Sequence, residues 1–86
     1  AFDDIHPTAP CHVLVIPRAH IPTLDACTDE AVFAGLLRVG AEVARRKGIA
    51  QGGYRTVLNV NRDGSQEVYH IHLHVLGGRK LGWPPG

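Results

Sequence analysis

Cysteine is scarce in this chain: 86 residues hold two, Cys11 and Cys27, in no CxxC pair. That excludes a disulfide scaffold and leaves both reading as small hydrophobic residues in a reducing compartment. Cys11 alone, beside His12, has a metal-binding alternative. No apolar run approaches about 18 residues, so no segment is expected to span a membrane. Neither sign of charge dominates, with nine Lys and Arg against eight Asp and Glu. A formal net charge of +1 gives no long-range pull on a polyanion, which argues against a nucleic-acid-binding surface and leaves phosphate recognition to local groups. Internal repeats and interdomain linkers are missing, so residues 1–86 are expected to form one domain. No leader-like segment is visible, the sequence starts abruptly at Ala1-Phe2-Asp3-Asp4, and cytoplasm is the expected compartment.

What is present is concentrated near the C-terminus. His70-Ile71-His72-Leu73-His74 places three imidazoles at strict two-residue spacing. On a β-strand successive side chains point to opposite faces. The three rings would line one face, and Tyr69, Ile71, Leu73 and Val75 the other. A helix would fan the same residues around its axis. The β-branched Val68, Ile71 and Val75 favour the strand.

Around this segment the chain alternates in type. His12-Val13-Leu14-Val15-Ile16 reads as a buried strand between Pro10 and Pro17. Thr28 is the expected N-cap of a helix whose apolar stripe is Val32, Leu36, Val39 and Val43. Asp29 and Glu30 suit its positive end. Arg45, Arg46 and Lys47 suit the other end, and Gly48 its left-handed terminator. This dipole match explains the basic run better than a nucleic-acid patch does. Tyr54 to Asn61 predicts a second strand, Arg62-Asp63-Gly64-Ser65 a turn, and Gln66 the lead into the histidine strand. The tail to Gly86 is expected to run extended. The expected fold is α+β: an antiparallel β-sheet meander with one long helix packed on it.

Clustered histidines raise zinc first. Nitrogens sharing one zinc lie within about 4 Å of each other, whereas alternate strand residues are about 6.7 Å apart and His70 and His74 about 13 Å. A zinc site therefore needs two of the three rings plus an outside ligand, with His12 or His20 available. Nucleophilic catalysis asks for no convergence. A neutral imidazole has one bare nitrogen and one N–H, and an acceptor on the N–H fixes which nitrogen is free. His72 could attack phosphorus while its other nitrogen is held by a carbonyl, splitting one difficult hydrolysis into two steps. Gly64 and Ser65 permit a loop with N–H groups facing an anion, and Gln66 supplies an amide.

The sequence His70-Ile71-His72-Leu73-His74-Val75-Leu76 resembles the signature of the histidine triad family. Pro10-Cys11-His12-Val13-Leu14-Val15-Ile16-Pro17, Asp63-Gly64-Ser65-Gln66-Glu67-Val68-Tyr69, Leu76-Gly77-Gly78-Arg79 and Trp83-Pro84-Pro85-Gly86 narrow the likeness to its nucleotide-binding branch. The resemblance implies hydrolysis of purine nucleoside 5′-phosphoramidates through a nucleotidyl-histidine, with no cofactor required. It implies His72 as nucleophile, His70 orienting it through a backbone carbonyl, His74 at the phosphate and leaving amine, and His12 packed against the triad. Asp4 would take the ribose hydroxyls, Asn59 would lie near ribose and phosphate, and Phe2 and Ile5 would border the nucleoside. Ser65, Gln66 and Glu67 would face the phosphate, with Ser65 in place of a common glycine and Glu67 in place of a common serine. The family's homodimer implies a partner copy that Trp83 would approach. Relatives usually begin earlier, so the first part of the fold is expected to be missing here. Two readings remain beside this one: a non-catalytic nucleotide-binding or scaffold protein, and a zinc protein using two triad histidines plus His12. Dinucleoside polyphosphate hydrolysis is a closer alternative that the Gly77-Gly78 and Trp-Pro-Pro-Gly segments disfavour.

Overall fold

Alternation along the histidine segment sets the architecture. In a computed structural model describing all 86 residues, Ile71, Leu73 and Val75 are buried in the core while His70, His72 and His74 lie half-buried on the opposite side. The elements are β1 (Phe2–Asp3), β2 (Cys11–Val15), α1 (Glu30–Arg46), β3 (Tyr54–Val57) and β4 (Leu73–Gly77). They form one antiparallel sheet in the order β1-β2-β4-β3 with a single helix, the expected α+β class. The order departs from a sequential meander in one respect: β4, not β3, lies beside β2.

Register decides which residues share a face. β2 pairs with β4 so that Val13 opposes Val75 and Val15 opposes Leu73, and these four are the sheet's buried layer. Helix α1 covers that layer with Leu36, Gly40 and Ala44. The predicted stripe was partly displaced. Leu36 is buried and Val32 and Val43 pack at its margin, but Val39 is 42% exposed. Gly40 takes the central place because a Cβ there would already lie 3.0 Å from Leu73 Cδ2; the helix approaches the sheet too closely for a valine. The helix starts one residue later than predicted, with Asp29 rather than Thr28 as N-cap, its carboxylate accepting from the Ala31 N–H at 2.9 Å. It ends as expected. Gly48 takes φ +75°, and the Gly48 and Ile49 N–H groups donate to Arg45 and Ala44 carbonyls, closing a Schellman turn.

Strand lengths are the other correction. β2 begins at Cys11 and stops before Ile16. β3 ends at Val57 instead of Asn61, and β4 begins at Leu73, so His70 and His72 precede the strand. The reason is a competing partner: the Ile71 N–H donates to the Ile21 carbonyl at 2.7 Å, drawing this stretch toward the 17–22 connection and away from β3. Tyr69, expected inside, is 47% exposed for the same reason. The two-residue β1 has no legible sequence pattern; it pairs Phe2 with Leu14 and Asp3 with Val13.

Gly77 ends β4 where a Cβ would meet Ile49 Cδ1 at 2.7 Å and Ile49 Cβ at 3.2 Å. Gly77→Ala should therefore destabilise the fold by about 1–3 kcal/mol through overpacking. Gly52→Ala, which meets nothing within 4 Å, should stay within about 0.5 kcal/mol. Urea unfolding of the two variants checks the difference.

Candidate active site

The sheet face away from α1 carries the polar chemistry. Opposed residues in an antiparallel pair share a face. Leu14 opposes His74 and His12 opposes Leu76, so His12 and His74 are diagonal neighbours on that face. The Asp4 N–H donates to the His12 carbonyl at 2.9 Å, which sets Asp4 beside His12 just past the end of β1. Register thus gathers three groups distant in sequence. The His12 and His74 rings approach to 2.8 Å, Nε2 to Nδ1, and Asp4 Oδ2 lies 3.5 Å from His12 Nε2.

Hydrogen-bond polarity then assigns tautomers. The Thr8 backbone N–H can only donate, and it points at His12 Nδ1 from 3.1 Å. In neutral His12 that nitrogen is bare and Nε2 carries the proton, which is donated to His74 Nδ1. Neutral His74 must then carry its proton on Nε2, a buried atom with no partner in the chain. His72 has the opposite arrangement. Its Nδ1 lies 2.8 Å from the His70 carbonyl, which can only accept, so Nδ1 is protonated and Nε2 is bare. The His72 and His74 rings stand edge to face at 5.0 Å. The two adjoining rings therefore supply one bare nitrogen and one N–H, neither requiring a charged ring.

His70 is anchored differently. Its Nε2–H donates to the Pro17 carbonyl at 3.1 Å, leaving Nδ1 to accept from His20 Nδ1 at 3.2 Å. Burial, then the neighbouring His72 and His12, hold His74 below the usual histidine range, with Asp4 opposing them. Asp4 is itself lowered, chiefly by the His6 backbone N–H on its Oδ1 at 2.8 Å and further by His12 and His74.

Other sequence-predicted residues fall into two groups. Asn59 is half-buried, two residues beyond Val57, the register partner of His74. Ser65 adopts φ +62°, the left-handed conformation that a glycine takes more freely. Phe2 and Ile5 are exposed beside Asp4, and the exposed Glu67 makes no side-chain bond. Gln66 corrects its expectation. Its side chain is not presented to a phosphate; the residue is only 6% exposed and its amide is engaged with backbone. Trp83 lies far along the tail, 80% exposed, with the Arg55 guanidinium 5.7 Å from its ring centre. The zinc set predicted from two triad rings and His12 does not gather. The cluster with ligand atoms within 4.8 Å of one another is Asp4, His12 and His74, with one triad member. Sequence reasoning missed the Thr8 N–H, the Pro17 carbonyl and the pairing of His20 with His70. Backbone groups leave no trace in residue type, and His20 carried a signal only as one more histidine.

Comparison with known proteins bears on this geometry. The HIT domain family model matches residues 1–81. The chain belongs to the HIT family. It is 50% identical over 84 residues to the purine nucleoside phosphoramidase of Escherichia coli K12, covering 95% of this chain and 71% of that protein. A HIT family hydrolase from Legionella pneumophila superposes with a TM-score of 0.95 at 49% identity, covering 99% of this chain and 78% of that one. A histidine triad protein from Clostridium difficile gives 0.90 at 38% identity, covering 94% and 72%. As in the family signature, the triad here is His70, His72 and His74.

Long-range proton–nitrogen NMR should find His72 as the Nδ1–H tautomer and His12 and His74 as Nε2–H tautomers at neutral pH. A histidine held low in the fold binds its proton more readily when unfolded, so stability from His74 is complete above 6.5 and declines as pH falls from there toward its lowered value. His74→Gln should flatten that slope in urea unfolding measured against pH.

Proposed function

We propose that this HIT protein hydrolyses purine nucleoside 5′-phosphoramidates through a covalent nucleotidyl-histidine. The supporting observation is the hydrogen bonding of the two adjacent rings, which assigns a bare Nε2 to His72 and an Nε2–H to His74. The His72 lone pair attacks phosphorus and the phosphorus–nitrogen bond breaks. As the phosphate anion binds, His74 takes up a second proton from solvent; the departing amine takes the proton at its Nε2, and His74 is left neutral. Water then adds to the nucleotidyl-histidine, its proton passes to His74, and nucleoside monophosphate leaves with the imidazole restored. The His70 carbonyl keeps Nδ1 of His72 protonated throughout, so the attacking nitrogen stays defined.

The same reading gives the surrounding residues their places. Asp4 accepts the ribose hydroxyls, and Phe2 and Ile5 border the base. Asn59 and the backbone around Ser65 and Glu67 contact the phosphate, with the Glu67 carboxylate turned outward. No metal enters this scheme. A homodimer forms along the free edge of β3 and the exposed apolar part of α1, where Leu37, Val39 and Tyr54 lie open. Trp83 is carried toward the partner copy. The free thiols of Cys11 and Cys27 support a cytoplasmic setting, and no helix is long and apolar enough to cross a membrane.

Intact-protein mass spectrometry after brief exposure to an adenosine phosphoramidate should show one added adenylyl group, mapped to His72. His72→Ala should lose more than about 10³-fold in turnover and form no adduct. Turnover within a few fold of the unsubstituted protein would eliminate the mechanism. His74→Ala should lose about 10²–10⁴-fold, and lose more as the leaving amine becomes more basic.

A further inference from the structure

Gln66 is one of two buried polar residues in the chain; the other, His12, belongs to the histidine cluster. Every polar atom of its side chain is used on backbone. Its Oε1 accepts from the Asn61 N–H at 2.9 Å, and its Nε2 donates to the Pro22 carbonyl at 2.7 Å and the Val68 carbonyl at 3.1 Å. Its own N–H donates to the Asn61 carbonyl at 2.9 Å, so Asn61 and Gln66 are bonded in both directions and close the 61–66 loop. The loop has little room to relax. Asn61 and Ser65 both take left-handed conformations, and a Cβ on Gly64 would lie 2.5 Å from the Val60 carbonyl oxygen.

The second anchor matters more. The connection that receives the Gln66 amide at Pro22 also receives the Ile71 N–H at Ile21 and the His70 ring at Pro17. Gln66 therefore ties the loop to the same run of chain that holds the first triad histidine. Within that loop the Gly64 and Glu67 N–H groups have no acceptor in the chain. The Ser65 and Gln66 N–H groups between them are spent inside the loop, on the Arg62 and Asn61 carbonyls.

We infer that Gln66 is a positioning residue for phosphate binding: its buried amide fixes the free N–H groups of Gly64 and Glu67 relative to His72. The inference rests on the phosphoryl-transfer reading of the site. It separates recognition of the phosphate from recognition of the nucleoside, because none of the Gln66 hydrogen bonds goes to Phe2, Asp4 or Ile5.

The test compares adenosine monophosphate with adenosine as ligands of the full chain. Gln66→Glu keeps the acceptor for Asn61 but sets an oxygen against two carbonyls; Gln66→Met removes all three bonds at similar size. Each should weaken binding of the monophosphate by about tenfold, the effect of losing roughly one net hydrogen bond's worth of loop order. Adenosine binding should stay within twofold. Monophosphate affinity within twofold of the unsubstituted protein overturns the inference, and so does an equal loss for both ligands, which a loosened fold would give. A measurement on the unsubstituted protein avoids dependence on folding of the variants. Titration with adenosine monophosphate should shift the Gly64 and Glu67 backbone amide signals and leave the Gln66 side-chain amide unmoved and slow to exchange. A shift centred on the Gln66 side chain, or an unmoved 64–67 loop in a protein that binds the nucleotide, overturns the inference alone. Failure of the unsubstituted protein to bind the nucleotide overturns the functional reading and this inference together.

Discussion

Pairing of β2 with β4 is the constraint on which everything else depends. It places Val13 and Val15 against Val75 and Leu73, burying all four. Because strand side chains alternate, that burial forces His12 and His74 to the opposite face. A slip of one residue would put imidazole into the apolar layer and valine into the site. Such a slip turns out the two core side chains of the strand that moves, each worth roughly 1.5–3 kcal/mol when fully buried. The chemistry is thus held in register by a hydrophobic penalty that has nothing to do with catalysis.

On the exposed face, backbone groups do what side chains usually do in such sites. The Thr8 N–H and the His70 carbonyl can each play only one hydrogen-bonding role. They drive neighbouring neutral rings into opposite tautomers with no buried charge and no cost of ionisation. Asp4, 3.5 Å from His12 Nε2, pulls toward a cation, and the burial of His74 outweighs it. The arrangement suits a site that receives an anion, since the charge arrives with the ligand.

Parts of this were legible beforehand. The helix was written in its terminal charges and Gly48, and the core face in Ile71, Leu73 and Val75. Errors fell where a residue type fits two environments. Val39 suited the apolar stripe, but the close approach at Gly40 moved the stripe aside. Gln66 suited a phosphate loop as an amide donor; the same amide instead donates to two backbone carbonyls and accepts from the Asn61 N–H. Strand ends at Val57 and Leu73 depended on Ile71 finding Ile21, a contact across 50 residues with no local signature.

Sequence alone determined the type of each major element and the identity of the chemical face, because two-residue and helical periodicities are local properties of the chain. It also carried the triad and its family likeness. Tertiary structure decided which groups meet: Asp4 and His12 with His74, His20 with His70, Gln66 with Pro22. It also decided which nitrogen of each ring is bare. Those outcomes depend on strand register and on the direction of backbone N–H and carbonyl groups. Every residue carries the same pair of these groups, so only their placement in space can distinguish one from another.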